Sequence, residues 1–546
     1  MEHFNKELGN QEVYNKIPVL SDVKSFSRMK TNQLVKYIGF VQDALQQEYF
    51  GSFYVKDGRK KTTFFRDYVD DMTYDDMDED NSSLAERNVF YCIPIPGQSP
   101  WTKSNQNQTT VENQEQSNKA KKRDRPDSDD EDLPSDESYG TGAKKRNTNQ
   151  QRPEVEEKNA TSVFNFGVPQ DGVAAAIKVY EDVPFKLCDI VEVIGVLNFD
   201  AQHEFSQEID PFGIQLDQLP SSIVPRIHVI SYKRYDSIHD PFIKVPSESF
   251  LATLSTLRND LVRYISKALK NDTLAAQYVL MNIISCIQVR SSGLTIGSFP
   301  LNISRADSST STALQKVIQQ FVPACHLLPF SNDNLNKKRF QPFKNYETNR
   351  LEFGLLQVPK GTSVIIDECA LSSGPLSEIG LKNFGVVESL LKFQILNYDF
   401  TFNHIEMESD VRVLVLSDAK SIFSKVTKCV VPIVQGPEVD TSLEINFDLA
   451  RRCLALVSLI NHNSKFSISE DVQKLAQSQF VAERKIDGNV DENRLHLWLV
   501  IARLLSLSFG KVELDTDTWT LMRQMEADRL DRVARLHRAS SDKPQN

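Results

Sequence analysis

No stretch of this 546-residue chain holds the run of roughly 18 uncharged apolar residues that a membrane helix needs. The opening MEHFNKELGNQEVYNK lacks the apolar centre of a secretory signal, so the expectation is a protein kept in cytoplasm or nucleus. Cysteine is sparse. The seven residues Cys92, Cys188, Cys286, Cys325, Cys369, Cys429 and Cys453 stand far apart with no C-x-x-C pair, which argues against a disulfide framework and a zinc site and leaves buried reduced thiols. Cations are also in short supply: Lys and Arg number 63 against 74 Asp and Glu, a net charge of -11. Duplex DNA binders carry a strongly basic surface, so protein partners are favoured over DNA. Catalytic signatures are missing too. There is no G-x-S-x-G, no H-E-x-x-H, no glycine-rich dinucleotide loop and no G-x-x-x-x-G-K-[ST]. The nine histidines are dispersed. His228 and His326 fall in apolar strands, where a satisfied core histidine is the default, and His404 follows Asp399 without a third partner.

What is present reads as several domains. From about residue 31, LVKYIGFVQDAL, EYFGSFYV, TTFFRDYV and NVFYCIPIPG are short strands rich in β-branched and aromatic residues between turn signals. The acidic run Asp70, Asp71, Asp75, Asp76, Asp78, Glu79 and Asp80 breaks them as a solvated loop. After Trp101 the texture changes to Asn, Gln, Ser, Lys, Asp and Glu. That segment buries too little apolar surface to offset its ordering entropy, so disorder is expected over 102–160. Strands resume with AAAIKVYED, FKLCDIVEVIGVLNF and VPRIHVISYKR. About five short strands split by a long insertion suit a small closed barrel of the OB type, although half of a β-sandwich reads similarly. Gly195 inside one of them fits a sharply coiled barrel strand.

From about 247 to 436 the pattern is α/β. FLATLSTLRNDLVRYISKALK and LAAQYVLMNIISCIQVR carry helical periodicity, whereas FPLNIS, HLLPF, FGLLQVP, TSVIIDE, NYDFTFN and VRVLVLSD read as strands. Continuous runs such as VIID and VLVL suit strands covered on both faces. Three helical segments follow from about 440, the last closed by Gly510 as a C-cap. The divisions are thus an N-terminal segment (1–30), a split barrel domain (31–101 and 161–246), the polar insert (102–160), an α/β module (247–436) and a helical region with the C-terminal tail (437–546).

The sharpest local signal is Ser363-Val364-Ile365-Ile366-Asp367-Glu368, the form of a Walker B strand, whose Asp would hold magnesium and whose Glu would polarise the attacking water. A buried strand ending in an acidic turn has the same form by chance. Its companion phosphate loop is not found. The nearest candidates, Gly293 to Pro300 and Gly374 to Gly380 with Lys382, have the wrong spacing. The expectation is therefore a Walker B-like pair, Asp367 and Glu368, without activity, and no cofactor.

The polar insert carries two basic clusters, Lys121-Lys122-Arg123 with Arg125 and Lys144-Lys145-Arg146. They are candidate nuclear-localisation elements, read by the acidic groove of an import receptor, or simply part of a solvated polyampholyte. Nucleic-acid binding fits less well, because Ser128-Asp129-Asp130-Glu131-Asp132 lies between them. Ser128 and Ser135, each followed by acids, are candidate phosphorylation sites.

Taken in order, LVKYIGFVQD, FFRDYV, FYCIPIPG with Trp101, AAIKVYED, VPRIHVI, LAAQYVL, FPLNIS, NRLEFGLLQVPKGTSVIIDE, NYDFTF and ARLLSLSFGK resemble the MCM-binding protein family over nearly the whole chain except the insert and the last residues. NRLEFGLLQVPKGTSVIIDE is also similar to the MCM segment that runs into Walker B, and ENRLHLWLVIARLLSLSFGKVELDTDTW to the helical lid of MCM ATPase modules. The resemblance implies an α+β and α/β multidomain chain: a split OB-like barrel, a degenerate AAA+-like module and a lid-like helical region. It further implies a non-enzymatic nuclear partner of MCM subunits, associated with DNA replication, with handling or unloading of MCM complexes and with sister-chromatid cohesion. A Walker A and a zinc-binding cysteine set, usual in MCM subunits, are absent here. Two other readings stay open: a diverged AAA+ nucleotide-binding enzyme using Asp367 and Glu368, and single-stranded nucleic-acid binding by the barrel, for which Phe40, Tyr54 and Phe65 are equally stacking rings or core residues.

Overall fold

The computed structural model describes residues 8, 10–56, 59–65, 84–103, 168, 171–199, 223–291, 294–437, 444–463, 466–488 and 490–541. The acidic run of residues 70–80, both basic clusters, Ser128 and Ser135 lie outside them.

Five strands close the first body: β1 (Gln33–Ala44), β2 (Leu84–Ile93), β3 (Ala175–Val179), β4 (Ile190–Asn198) and β5 (Arg226–Tyr235). β1 pairs with both β2 and β4, β2 with β3, and β5 with β4, all antiparallel. β3 and β5 run parallel and complete the ring. Closure leaves no free edge among these strands and makes an interior, filled by Val35, Tyr37, Cys92, Ile177, Val193 and Ile227. Gly195 has a steric reason. The β4–β5 register shifts between Ile194 and Gly195, and a Cβ at Gly195 would lie 2.3 Å from the His228 carbonyl oxygen.

The second body is a five-stranded parallel sheet of β6 (Leu301–Ser304), β7 (Cys325–Pro329), β8 (Ser363–Asp367), β9 (Arg412–Ser417) and β10 (Cys429–Pro432), in the spatial order β7-β8-β9-β6-β10. Side chains alternate across a strand, so a sheet covered on both faces needs apolar residues at every position. Ile365, Leu414 and Leu416 enter one core, and Val364, Ile366, Val413 and Val415 the other. The helices α1 (Leu251–Ser266), α2 (Thr273–Ile283), α3 (Ser308–Ile318) and α4 (Glu378–Phe393) accompany this sheet. FGLLQVP is not a strand. Leu356 and Val358 plug the core from irregular backbone, and a Cβ at Gly354 would meet the Gln341 backbone at 2.3 Å. A four-stranded side sheet (350–352, 343–345, 395–399, 404–408) stands beside this body.

The chain then becomes helical: α5 (Phe447–His462), α6 (Glu470–Ile486), α7 (Glu492–Ser508) and α8 (Thr516–Ser541). Gly510 does end α7, with φ of 75° and with its N–H bonded to the Leu507 carbonyl. α8 docks on the sheet edge through buried charge. Arg529 pairs with Glu526 at 2.7 Å and donates to the Val430 carbonyl, while Tyr278 Oη donates to Glu526. Arg532 reaches Asp272, the N-cap of α2, at 2.6 Å.

Contacts that join the barrel to the second body include two sets. Asp43 accepts from the Leu351 N–H, and Gln42 donates to the Leu351 carbonyl. After β2, Ser99 Oγ donates to the Val322 carbonyl, the Trp101 indole N–H donates to Gln319 O, and the Arg451 guanidinium lies 4.3 Å over the Trp101 ring. The residues flanking the polar insert meet there: Lys103 Nζ is 3.4 Å from Asp171 Oδ2.

Candidate functional site

Ligands of open α/β sheets bind beyond the carboxyl ends of the strands, and the Walker B-like pair Asp367 and Glu368 stands there. β8 ends on Asp367 and Glu368. β6 ends on Ser304 and turns through Arg305, which takes a left-handed φ of 62°, and Ala306 into α3. That turn was invisible to a search for glycines.

Asp307 is the N-cap of α3. Its carboxylate accepts from Thr310 N at 2.9 Å, Thr310 Oγ1 at 2.9 Å and Ser309 Oγ at 2.5 Å, and Lys270 Nζ is 3.0 Å away. Hydrogen bonds from Ser309, then Lys270 and the Thr310 backbone, hold this carboxyl well below its usual range. A helix start with free N–H groups attracts phosphate; this one is already served by a carboxylate of its own chain.

Ser311, one turn into α3, donates its hydroxyl to Asp367 Oδ2 at 2.8 Å, and Asp367 Oδ1 accepts from Cys369 N at 3.1 Å. In a phosphate-loop enzyme a Ser or Thr and a strand-end Asp hold magnesium between them. Here the two groups are bonded to each other. Glu368 turns the other way: Oε1 accepts from Ser421 Oγ at 2.7 Å and Oε2 from Ile422 N at 3.2 Å. Burial pushes its carboxyl up to about 7, against the hydrogen bonds from Ser421, Ile422 and Phe423. Both carboxylates are thus consumed by protein donors. No lysine follows in the place where a phosphate loop carries one, since Thr310 precedes Ser311.

The two glycine-bearing candidates lie elsewhere. Leu294–Ile296 is a short strand paired with Val289–Ser291, and Gly374 to Lys382 leads into α4, where Lys382 pairs with Glu378. Phe40 and Phe65 do not share a platform. Phe40 is fully buried with Ile93, Ile95 and Ala324 between barrel and sheet, so it cannot take a base. Phe65 packs edge-on against Tyr180, which also meets Phe50 and Phe64. Tyr54 pairs in register with Lys61. His228 is bonded through Nδ1, 2.6 Å from Tyr180 Oη, and His326 is half-buried with its Nε2 enclosed away from a hydrogen-bond partner. His404 lies 3.8 Å from Asp399. All seven cysteines are free thiols, with Cys188 and Cys369 only partly buried. Among the described residues no group of three His, Cys, Asp or Glu could hold a metal ion, and no helix is long and apolar enough to cross a membrane.

Comparison with known proteins matches residues 4–533 to a family described as mini-chromosome maintenance replisome factor. A protein of Salmo salar named mini-chromosome maintenance complex-binding protein is 31% identical, over 100% of this chain and 95% of its own length. Proteins of the same name from Homo sapiens and Arabidopsis thaliana are 29% and 26% identical, over 98% and 97% of this chain and 93% and 92% of theirs.

Proposed function

Because the chain belongs to the mini-chromosome maintenance replisome factor family, we propose that it is a non-enzymatic binding partner of the MCM complex. In this reading it acts in the nucleus, in DNA replication, by assembling, chaperoning or unloading MCM, with a consequence for sister-chromatid cohesion. Import depends on a receptor that reads Lys121 to Arg125 and Lys144 to Arg146, and direct DNA binding is weak. The barrel is of the OB type, since its ring of five strands includes one parallel pair. The sheet with α5 to α8 is a degenerate AAA+-like module and its lid.

One observation carries the non-enzymatic part: Asp307 occupies the helix start that would receive a phosphate. Anchored on the Ser311–Asp367 bond, a phosphate-loop pattern would span Ser304 to Ser311, with Ser304 and Ser309 in place of its glycines and Thr310 in place of its lysine. A subunit-shaped body that cannot cycle nucleotide would present partner surfaces without hydrolysis.

The test is purification of MCM subunits with the full-length chain from nuclear extract, beside an ATPase assay of the chain alone. MCM subunits as the dominant companions, with no turnover, support the proposal. Magnesium-dependent, saturable ATP hydrolysis abolished by Asp367→Asn with Glu368→Gln would establish the alternative, a diverged AAA+ enzyme.

A further inference from the structure

The opposite end of the parallel sheet holds a feature that neither barrel nor strand-end carboxylates explain. At the amino ends of β6 and β10 lies a cleft of about 270 Å³, walled by α7 and by the end of α4. Its inner wall includes the buried side chains of Phe299, Leu391 and Val500, and Lys392, Lys425 and Lys428, all exposed, also line it. The walls contain no Asp or Glu among the described residues. Lys428 Nζ donates to Asn493 Oδ1 at 2.6 Å; Asp491, outside the lining, accepts from Asn493 Nδ2 at 2.6 Å and offsets part of the Lys428 charge, while Lys392 and Lys425 face the cleft without a carboxylate in its walls. In a chain with a net charge of -11, three lysines around an apolar floor without a carboxylate make a local inversion of the overall sign.

We propose that this cleft is a docking site for an acidic peptide segment of a partner protein, one apolar side chain entering the floor while flanking Asp, Glu or phosphoserine groups meet Lys392, Lys425 and Lys428. The volume is below that of ordinary cofactor and drug-sized pockets, and suits one or two side chains. A polynucleotide fits worse, because its recognition needs a long basic track with stacking rings, and the cleft is short with a floor of buried side chains. Interface energy concentrates in a buried apolar anchor, whereas the exposed lysines set selectivity and encounter rate. The cleft lies at the sheet end remote from Asp307 and Asp367, so the proposal stands whether or not the MCM-binding reading holds.

The experiment is selection of a random displayed-peptide library on the full-length chain, with counter-selection on a Lys392→Glu, Lys425→Glu, Lys428→Glu variant. The expected result is a consensus of Leu or Phe flanked by Asp and Glu, recovered on the parent chain and not on the variant. A synthetic peptide of that consensus should lose about tenfold or more in affinity on the variant, equivalent to ~1.4 kcal/mol, and weaken with added salt. Replacing its apolar residue by Gly should cost a similar factor. Should the triple reversal not melt cooperatively, Lys425→Gln with Lys428→Gln serves instead, since both side chains are exposed and the change is neutral in shape. The proposal is overturned by a consensus without acids, by peptides that bind parent and variant alike, by no enrichment at all, or by a lysine-dependent affinity for a labelled oligonucleotide instead.

Discussion

Replacing Glu368 by Gln should make the protein more stable at mildly alkaline pH and nearly unchanged at acidic pH. Glu368 is 8% exposed, and its carboxyl sits at about 7 in the fold against an ordinary 4.5. A carboxyl raised by folding binds more protons in the native than in the unfolded state between those two values. Its stabilising contribution is therefore fully present below about pH 4.5 and is lost as pH rises through about 7. The separation of about 2.5 pH units, at about 1.4 kcal/mol for each, sets the full loss on the order of 3 kcal/mol, most of it between about pH 5 and pH 8. Gln stays neutral throughout, and its single oxygen serves either the Ile422 N–H or the Ser421 hydroxyl, which the carboxylate meets with separate oxygens. Its new amide N–H group needs an acceptor in the same place, which offsets part of the gain. Urea unfolding of both proteins from about pH 5 to pH 8 should give a difference that moves in favour of Glu368→Gln by roughly 2 kcal/mol as pH rises. Parallel stability curves would refute the reasoning and place Glu368 as an ordinary ionised carboxylate.

Arg529→Ala should cost about 3–5 kcal/mol, because it strands the buried Glu526 carboxylate beneath α8; calorimetric melting would show it, and Arg529→Met with Glu526→Leu should recover much of the loss. Gly195→Ala should destabilise the barrel by about 2 kcal/mol or more, through collision with the His228 carbonyl, and a melting temperature equal to the parent's would contradict that account. Alanine at Lys121, Lys122, Arg123, Lys144, Lys145 and Arg146 should move a fluorescent fusion from nucleus towards cytoplasm; unchanged nuclear signal would assign import to another element or to a bound partner.

Strands announced themselves where burial was two-sided. Val364 to Ile366 and Val413 to Leu416 are apolar at every position because successive side chains enter different cores, and Gly195 marked the coiled strand because a neighbouring carbonyl takes the place of its Cβ. FGLLQVP misled for a related reason: its apolar residues are buried, but in a turn that plugs the core rather than in a ladder. Asp367 and Glu368 were legible as a strand end. Their loop partner was not, since Ser304 to Ser311 has no glycine and no lysine, and only the folded sheet brings Ser311 to Asp367. Phe40 read equally as a stacking ring or a core residue; the sheet packed against the barrel is what buries it. The basic cleft combines residues from four separate stretches, an assembly with no local sequence signal.

The ion pair between Lys103 and Asp171 has a practical meaning for anyone building with this chain. The pair holds the two flanks of the insert side by side, so the sequence between them can be shortened, lengthened or exchanged without dragging either anchor. Loop closure grows only logarithmically with length, at about 0.6 kcal/mol for each doubling. A fluorescent protein, an affinity handle or a protease site can be spliced in between Lys103 and Val168 while Trp101 and β3 keep their seats, which makes this junction the natural port for a reporter that leaves both chain ends untouched.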